Sequence, residues 1–275
     1  MAVTSAPRIT VVGSANVDVV ARCERLPRAG ETITSTKLER FPGGKGANQA
    51  VAAARLGADV RFVGRIGADA LVLRSLQREG VDTSAVVREE GESGLALILV
   101  DAHGENVIVV APGANARLAP GDVAVGETDA VICQLEIPSA AVAAAAGQAP
   151  FFCLNAAPAR AEPDLKPDLL VVNRYEYEVV GPSRGLVALT LGAEGAVLLE
   201  DGRELARATP PSVHSIDATG AGDAFCAALV LSLLEGRAPA EGLRRACAAG
   251  ALATSRPGAQ SSLPTADEVD AILAP

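Results

Sequence analysis

The chain has 275 residues, enough for one large domain or two ordinary ones with a sizeable core. Apolar residues make up 49% and aromatics only 3%, with 24 basic against 33 acidic residues and a net charge of −9. With no Lys/Arg block and no Trp this argues against nucleic-acid binding, and no apolar run approaches the roughly 18 residues that cross a bilayer. The start, MAVTSAPRIT, lacks the basic and apolar regions of a signal peptide, so a soluble cytoplasmic protein without membrane partners is expected. The cysteines (Cys23, Cys133, Cys153, Cys226, Cys247) are scattered without a CxxC pair and read as buried, reduced thiols. His103 and His214 fall in expected loops without ligand spacing, which disfavours a zinc site or a Ser-His-Asp triad.

Along the chain, short β-branched runs alternate with Ala/Leu-rich stretches. RITVVG (8–13) predicts a strand, GANQAVAAARLG (46–57) a helix closed by Gly57, DVRFVG (59–64) a strand and ALVLRSLQREG (70–80) a helix ending at Gly80. DAVICQLE (129–136), PFFCLN (150–155), DLLVVN (168–173) and LVALTLG (186–192) read as buried strands, with a helix over 138–147 between the first two. The pattern predicts an α/β fold, a mostly parallel central sheet with helices on both faces. Ligands in such folds bind beyond the carboxyl ends of the strands, which marks Gln134, Glu136, Asn155, Asn173, Thr190 and Gly192.

Two regions break the alternation. Residues 17–23 and 31–41 have strand-like patterning with no helix between them, and 94–115 reads as a hairpin turning at His103–Gly104. Strands near 15–22, 31–41, 94–101 and 105–111 are expected to form a small β lid on one domain spanning 1–275. The lid would close over substrate or pack against a second subunit.

The stretch DATGAGDAFCAALV (217–230) joins a Gly-rich approach to a long apolar helix stopped by Gly236 and Pro239. The unpaired N–H groups and positive dipole of the first helical turn favour an anion, and Gly220, Ala221 and Gly222 let it come close. An acid beside an anion hole suits phosphoryl transfer to a hydroxyl. The amides would stabilise the moving phosphoryl group, and Asp223 would take the hydroxyl proton. Asp223 alone would also serve as a complement to the helix dipole. In FPGGKGANQA (41–50), Gly43, Gly44 and Gly46 permit close backbone approach, Lys45 offers a cation and Asn48 an amide. The spacing is not that of a Walker A loop, and a plain turn into a helix explains it equally well. Asn16 and Asp18, two apart in a strand, face the same way as a clamp for hydroxyls or as an ordinary exposed face.

Taken together, GSANVDVV, GGKGANQ, GENVIVVAPGAN, LNAAPAR and GAGD resemble the ribokinase family of PfkB-type carbohydrate kinases over nearly the whole chain. The resemblance implies ATP-dependent phosphorylation of a small sugar, D-ribose to ribose 5-phosphate, with Mg²⁺ and a K⁺ activator. Another sugar or nucleoside (deoxyribose, fructose, adenosine) and a non-catalytic sugar-binding relative are the alternatives. It implies a ribose pocket of Asn16, Asp18, Gly44, Lys45, Asn48 and Glu136, with Asp223 as the base for the 5-hydroxyl. Asn173 and Glu176 of NRYE would organise Mg²⁺ through water, and Thr190 and Gly192 would contact ATP phosphates. Asp217, Thr219, Ala253, Arg256, Gly258 and Ser262 match the K⁺ positions, although Asp217 by itself also reads as a turn or cap residue. A homodimer through the lid is implied as well. The sequence departs from the family at Ala218, where Thr is usual, and at Cys247, beside the expected adenine. It is also short after the RIGADA segment and between Glu178 and Leu186, where relatives carry a longer insertion.

Overall fold

The computed structural model describes residues 5–162 and 164–274; the N-terminal segment read for a signal peptide begins outside them, and so does the final residue of the expected domain. Strand β1 (Arg8–Val12) is buried almost throughout, as the β-branched run RITVV requires of a central parallel strand. β2 (Asn16–Arg22) and β3 (Lys37–Gly43) pair antiparallel, and α1 (Lys45–Arg55) follows after Gly44. The strand expected over 31–41 begins only at Lys37. Glu31 is held out of the sheet by Arg25, at 2.5 and 2.6 Å, and by the Arg28 N–H at 3.0 Å.

β4 (Asp59–Ile66), α2 (Leu71–Arg78) and β5 (Val86–Arg88) build one edge, α2 having only eight residues. β6 (Gly94–Val100) and β7 (Asn106–Ala111) form the predicted hairpin, whose turn is closed by Asp101 Oδ1 accepting the His103 and Glu105 N–H groups at 2.8 and 3.0 Å. The chain then returns through β8 (Ala130–Gln134), α3 (Ser139–Ala146), β9 (Phe152–Asn155), β10 (Leu169–Asn173), α4 (Arg174–Val180) and β11 (Leu186–Thr190). β12 (Ala196–Glu200) and β13 (Arg203–Ala208) add an antiparallel hairpin at the other edge. Three helices close the chain: α5 (Ala221–Leu234), α6 (Pro239–Thr254) and α7 (Ala266–Leu273).

The main sheet has nine strands in the order β13-β12-β11-β10-β9-β8-β1-β4-β5, parallel except that β12 runs antiparallel to both its neighbours. The small sheet has the order β3-β2-β6-β7. Helices cover both faces of the main sheet unequally. The apolar surfaces of α1, α2, α5, α6 and α7 make one core, and α3 with the α4 residues Tyr177 and Val180 covers the other face. α5 is apolar on all sides because it lies between α1, α6 and the sheet, burying every residue from Asp223 to Ser232. Pro239, read only as a stop for α5, is the first residue of α6, where a missing N–H leaves no bond unmade. The short segment after Glu178 is real: α4 ends at Val180, and residues 181–185 run directly into β11.

Candidate active site

The first strand has β4 on one side and β8 on the other, so the chain reverses its winding direction there. A crevice opens beyond the carboxyl ends of the strands at such a switch point. A cavity of about 460 Å³ sits there, walled by strand ends, the start of α1, the start of α5 and the small sheet. All six residues of the expected sugar pocket line it: Asn16, Asp18, Gly44, Lys45, Asn48 and Glu136. Asn173, Glu176 and Thr190 line it from the strand ends, and Asp217, Thr219, Gly220, Gly222 and Asp223 from the approach to α5. The remaining expected residues, Ala221, Gly192, Cys247, Ala253, Arg256, Gly258 and Ser262, stand outside its wall.

On β2, Asn16 and Asp18 share the cavity face, as alternation requires. Asn115, from the turn after β7, donates from Nδ2 to Asn16 Oδ1 at 2.7 Å and accepts the Ala15 N–H on Oδ1 at 3.0 Å. This fixes the Asn16 amide with its NH₂ left for a ligand. The first turn of α1 packs directly on the β1–β2 connection; a Cβ on Gly46 would lie 2.6 Å from the Ser14 nitrogen, so no side chain fits. Glu136 ties the two segments, since one carboxylate oxygen accepts the Ser14 hydroxyl and, at 3.1 Å, the Lys45 N–H. Sequence reasoning missed Ser14 and Asn115, which act only through these long-range bonds.

Asp223 is buried in the first turn of α5. Its Oδ2 accepts Asn48 Nδ2 at 2.9 Å and its Oδ1 accepts Gln49 Nε2 at 2.9 Å. Gln49 Nε2 also donates to Asn155 Oδ1 at 3.0 Å, and Gln134 Nε2 donates to Gln49 Oε1 at 2.6 Å. Gln134 and Asn155 stood out as strand ends; Gln49, although it closes the GGKGANQ segment, was given no role of its own. Asn48 Oδ1 is buried with no hydrogen-bond partner among the described residues. Gly220 caps α5 in the left-handed region at φ 82°, bringing the backbone of 220–222 to the helix start without side chains in the way.

The charges oppose one another. Burial pushes Asp223 above the ordinary carboxylate range, while Lys45 and the amides of Asn48 and Gln49 pull it back and Glu136 adds to the rise. Burial alone would lower Lys45, but the carboxylates of Asp223, Glu136 and Glu176 hold it raised, as a firmly charged ammonium. Burial, reinforced by Glu136 and Asp223, lifts Asp18 to about 7. Because this folded value lies above that of the unfolded chain, Asp18 contributes stability at low pH that is lost as pH rises through about 7. Asp18→Asn therefore raises Tm, and by more at pH ~8 than at pH ~5. Thermal denaturation at the two pH values checks this, and an equal shift at both would contradict it.

Asn173 and Glu176 form a reciprocal cap on α4: Asn173 Oδ1 accepts the Glu176 N–H, and Glu176 Oε2 the Asn173 N–H, both at 2.8 Å. Burial raises Glu176, opposed by the Asn173 N–H and by Lys45. Thr190 Oγ1 donates to the Val172 carbonyl at 3.3 Å, and Gly192 begins the turn between β11 and β12. Asp217 Oδ1 accepts Thr219 N–H and Oγ1–H at 2.9 and 2.6 Å, and its Oδ2 accepts Gly258 N–H at 2.9 Å. Burial would raise Asp217, but these bonds and the Arg22 charge hold it below its ordinary value. Nearby, the Arg256 guanidinium pairs with Glu268 at 2.8 Å, Ser262 Oγ donates to the Ala259 carbonyl at 2.9 Å, and Ala253 is buried in α6. Cys247 is buried on α6 with its thiol 3.7 Å from the Ala208 carbonyl at the end of β13.

The cavity thus gathers side chains able to hydrogen-bond hydroxyls, a helix start with free N–H groups and a buried carboxylate, a set chemically suited to phosphoryl transfer to a small alcohol. The chain belongs to the pfkB family of carbohydrate kinases, whose family model matches residues 6–266. It is similar to ribokinase of Bacillus subtilis (strain 168), 36% identical with 96% of this chain and 99% of that protein covered. Among solved structures, ribokinase of Thermotoga maritima superposes with a TM-score of 0.86 at 31% identity, covering 96% of this chain and 98% of that one. Arabidopsis thaliana ribokinase, solved in complex with ribose and ATP, superposes with a TM-score of 0.83 at 29% identity, covering 98% and 99%.

Proposed function

We propose that the protein is an ATP-dependent ribose kinase acting as one domain with a β lid, and that it forms ribose 5-phosphate. One observation carries this reading: a buried carboxylate, Asp223, held by two amides at the start of α5, in a cavity whose other wall is Asn16, Asp18, Lys45, Asn48 and Glu136. The ribokinases among its relatives support the same substrate. No aromatic side chain lines the cavity among the described residues, and the apolar side chains that the small sheet turns to it are Ala96, Ile98, Ile108 and Val110. That favours a small free sugar over a nucleoside, whose base needs a platform.

In this reading Asp223 accepts the proton of the ribose 5-hydroxyl as its oxygen forms a bond to the γ-phosphorus of ATP. The bond from that phosphorus to the β–γ bridging oxygen breaks, and ADP leaves with the electron pair. The amides of Gly220, Ala221 and Gly222 and the Lys45 ammonium receive the developing negative charge. Asn173, Thr190 and Gly192 serve the phosphate side, and Cys247 belongs to the adenine side as a buried packing group. Hard Mg²⁺ suits Glu176, a carboxylate on the cavity wall whose Oε1 is outside the α4 cap. Mg²⁺ would neutralise phosphate charge there, held largely through water. For K⁺, Asp217 is an ionised, half-buried carboxylate that makes no salt bridge among the described residues, and it would share the ion with Thr219, with Ala253 at the end of α6 and with Arg256, Gly258 and Ser262 after it.

Steady-state ADP release with Mg-ATP and ribose, deoxyribose, fructose or adenosine, with and without K⁺, tests the reading. Preferred turnover of ribose that rises with K⁺ is expected. Turnover of adenosine alone would replace the substrate, and no turnover by folded protein that binds ribose would replace the activity.

The protein also dimerises through the small sheet in this reading. β7 is exposed along its whole length, and Leu38, Leu97, Val107 and Val109 add an apolar patch on the same sheet. A dimeric mass is expected, with Val109→Asp shifting it to monomer; a monomeric parent at micromolar concentration would contradict this. No helix among the described residues is long and apolar enough to cross a membrane, and five free, buried cysteines suit a reducing cytoplasm.

A further inference from the structure

We propose that Gln49 is a positioning residue for the base: a buried amide relay from Gln134 through Gln49 fixes the direction in which the Asp223 carboxylate presents its free lone pairs. The inference rests on the reading of Asp223 as the base. It goes beyond that reading because Gln49 lies outside the cavity wall and acts through its hydrogen bond to Asp223.

The polarity of the relay follows from one backbone group. The Val171 carbonyl can only accept, so Asn155 must turn Nδ2 toward it, at 3.2 Å, and is left with Oδ1 toward Gln49. Gln49 must then face Asn155 with Nε2, and the second Nε2 hydrogen goes to Asp223 Oδ1 at 2.9 Å. With Nε2 so committed, Gln49 Oε1 is left to accept Gln134 Nε2, at 2.6 Å. Gln49 and Gln134 are fully buried, so water has no access to substitute for either amide.

The consequence is specific to a base. With Asn48 on Oδ2 and Gln49 on Oδ1, each Asp223 oxygen has one lone pair committed to an amide donor. The carboxylate cannot rotate without breaking one of these bonds, and its ionised form is favoured by both. The other charged or titratable groups facing Asp223 are Lys45 on α1, Glu136 beyond β8, Asp18 on β2 and Cys226 on α5. None of them is removed when Gln49 is changed.

The test is Gln49→Met, which keeps length and volume but removes the donor, assayed with Mg-ATP and ribose from about pH 5 to about pH 9. We expect kcat to fall by about 10- to 100-fold, with KM for ribose within about threefold. The acid limb of the kcat profile should move up by about one pH unit, because losing a donor to the carboxylate raises its pKa. A merely structural Gln49 would lower the amount of folded protein and leave the limb in place, and that result would overturn the inference. If Gln49→Met does not fold, Gln134→Met reads the same limb with a smaller shift in the same direction, and an unmoved limb there overturns it too. Asp223→Asn separates the two levels. If Asp223→Asn keeps its turnover, the base is misassigned; if Asp223→Asn is inactive and the Gln49→Met limb is unmoved, only the relay fails.

Discussion

Asp223→Asn is expected to lower kcat by about 10³-fold, within the 10²–10⁴ that a positioned general base contributes. The substitution keeps volume and planarity, so the α5 start and the anion-receiving amides stay in place. The loss is chemical, because an amide cannot accept the hydroxyl proton. One local conflict accompanies it. Both Asp223 oxygens face amide donors, from Asn48 and Gln49, so the new NH₂ must oppose one of them. Ribose affinity should therefore weaken by no more than about tenfold, the worth of one hydrogen bond, while turnover nearly vanishes. Calorimetric ribose binding alongside kcat checks this split. A kcat within about threefold of the parent would remove Asp223 from the chemistry.

Gly46→Ala is the second large effect, and it acts on stability. In an ordinary helix the change would stabilise by about 1 kcal/mol. Here the added Cβ meets the Ser14 nitrogen at 2.6 Å and the Gly13 backbone at 2.7 Å, and backbone cannot swing aside. The overpacking outweighs the propensity gain, for a net loss of about 3 kcal/mol and a Tm lower by roughly 5–10 °C. Because α1 carries Lys45, Asn48 and Gln49, any folded fraction should also bind ribose poorly. Urea denaturation reads the stability, and an unchanged or higher midpoint would show that the two segments are not in close contact.

Much of this architecture was legible because periodicity and glycine placement are local signals. The β-branched runs at 8–13, 129–136 and 168–173 became central strands, and the apolar run after Asp223 became the fully buried α5. The Gly-rich loops and Asp223 stood out in combination, since an acid at a helix start or a glycine turn into a helix is ordinary alone. The β12–β13 hairpin carried a signal that went unread: Asp201-Gly202, with φ of 48° and 79°, between two strands. The lid strand over 31–41 began late because the alternation of ETITST is offset by the Arg25–Glu31–Arg28 loop, a side-chain effect that pattern does not encode. Gln49 was invisible for another reason. One amide in an Ala-rich helix reads as a polar surface position, and its burial comes from Gln134, Asn155 and Asp223, 85, 106 and 174 residues away.

Phosphorus and carbon NMR of the product made from Mg-ATP and ¹³C-labelled ribose is the most direct measurement. The account predicts one new phosphomonoester whose phosphorus couples to ribose C5, formed together with ADP and only when ribose is present. Coupling to C1 would put the wrong hydroxyl at Asp223. ADP formed at the same rate without ribose would mean that the cavity does not direct the phosphoryl group to a sugar at all.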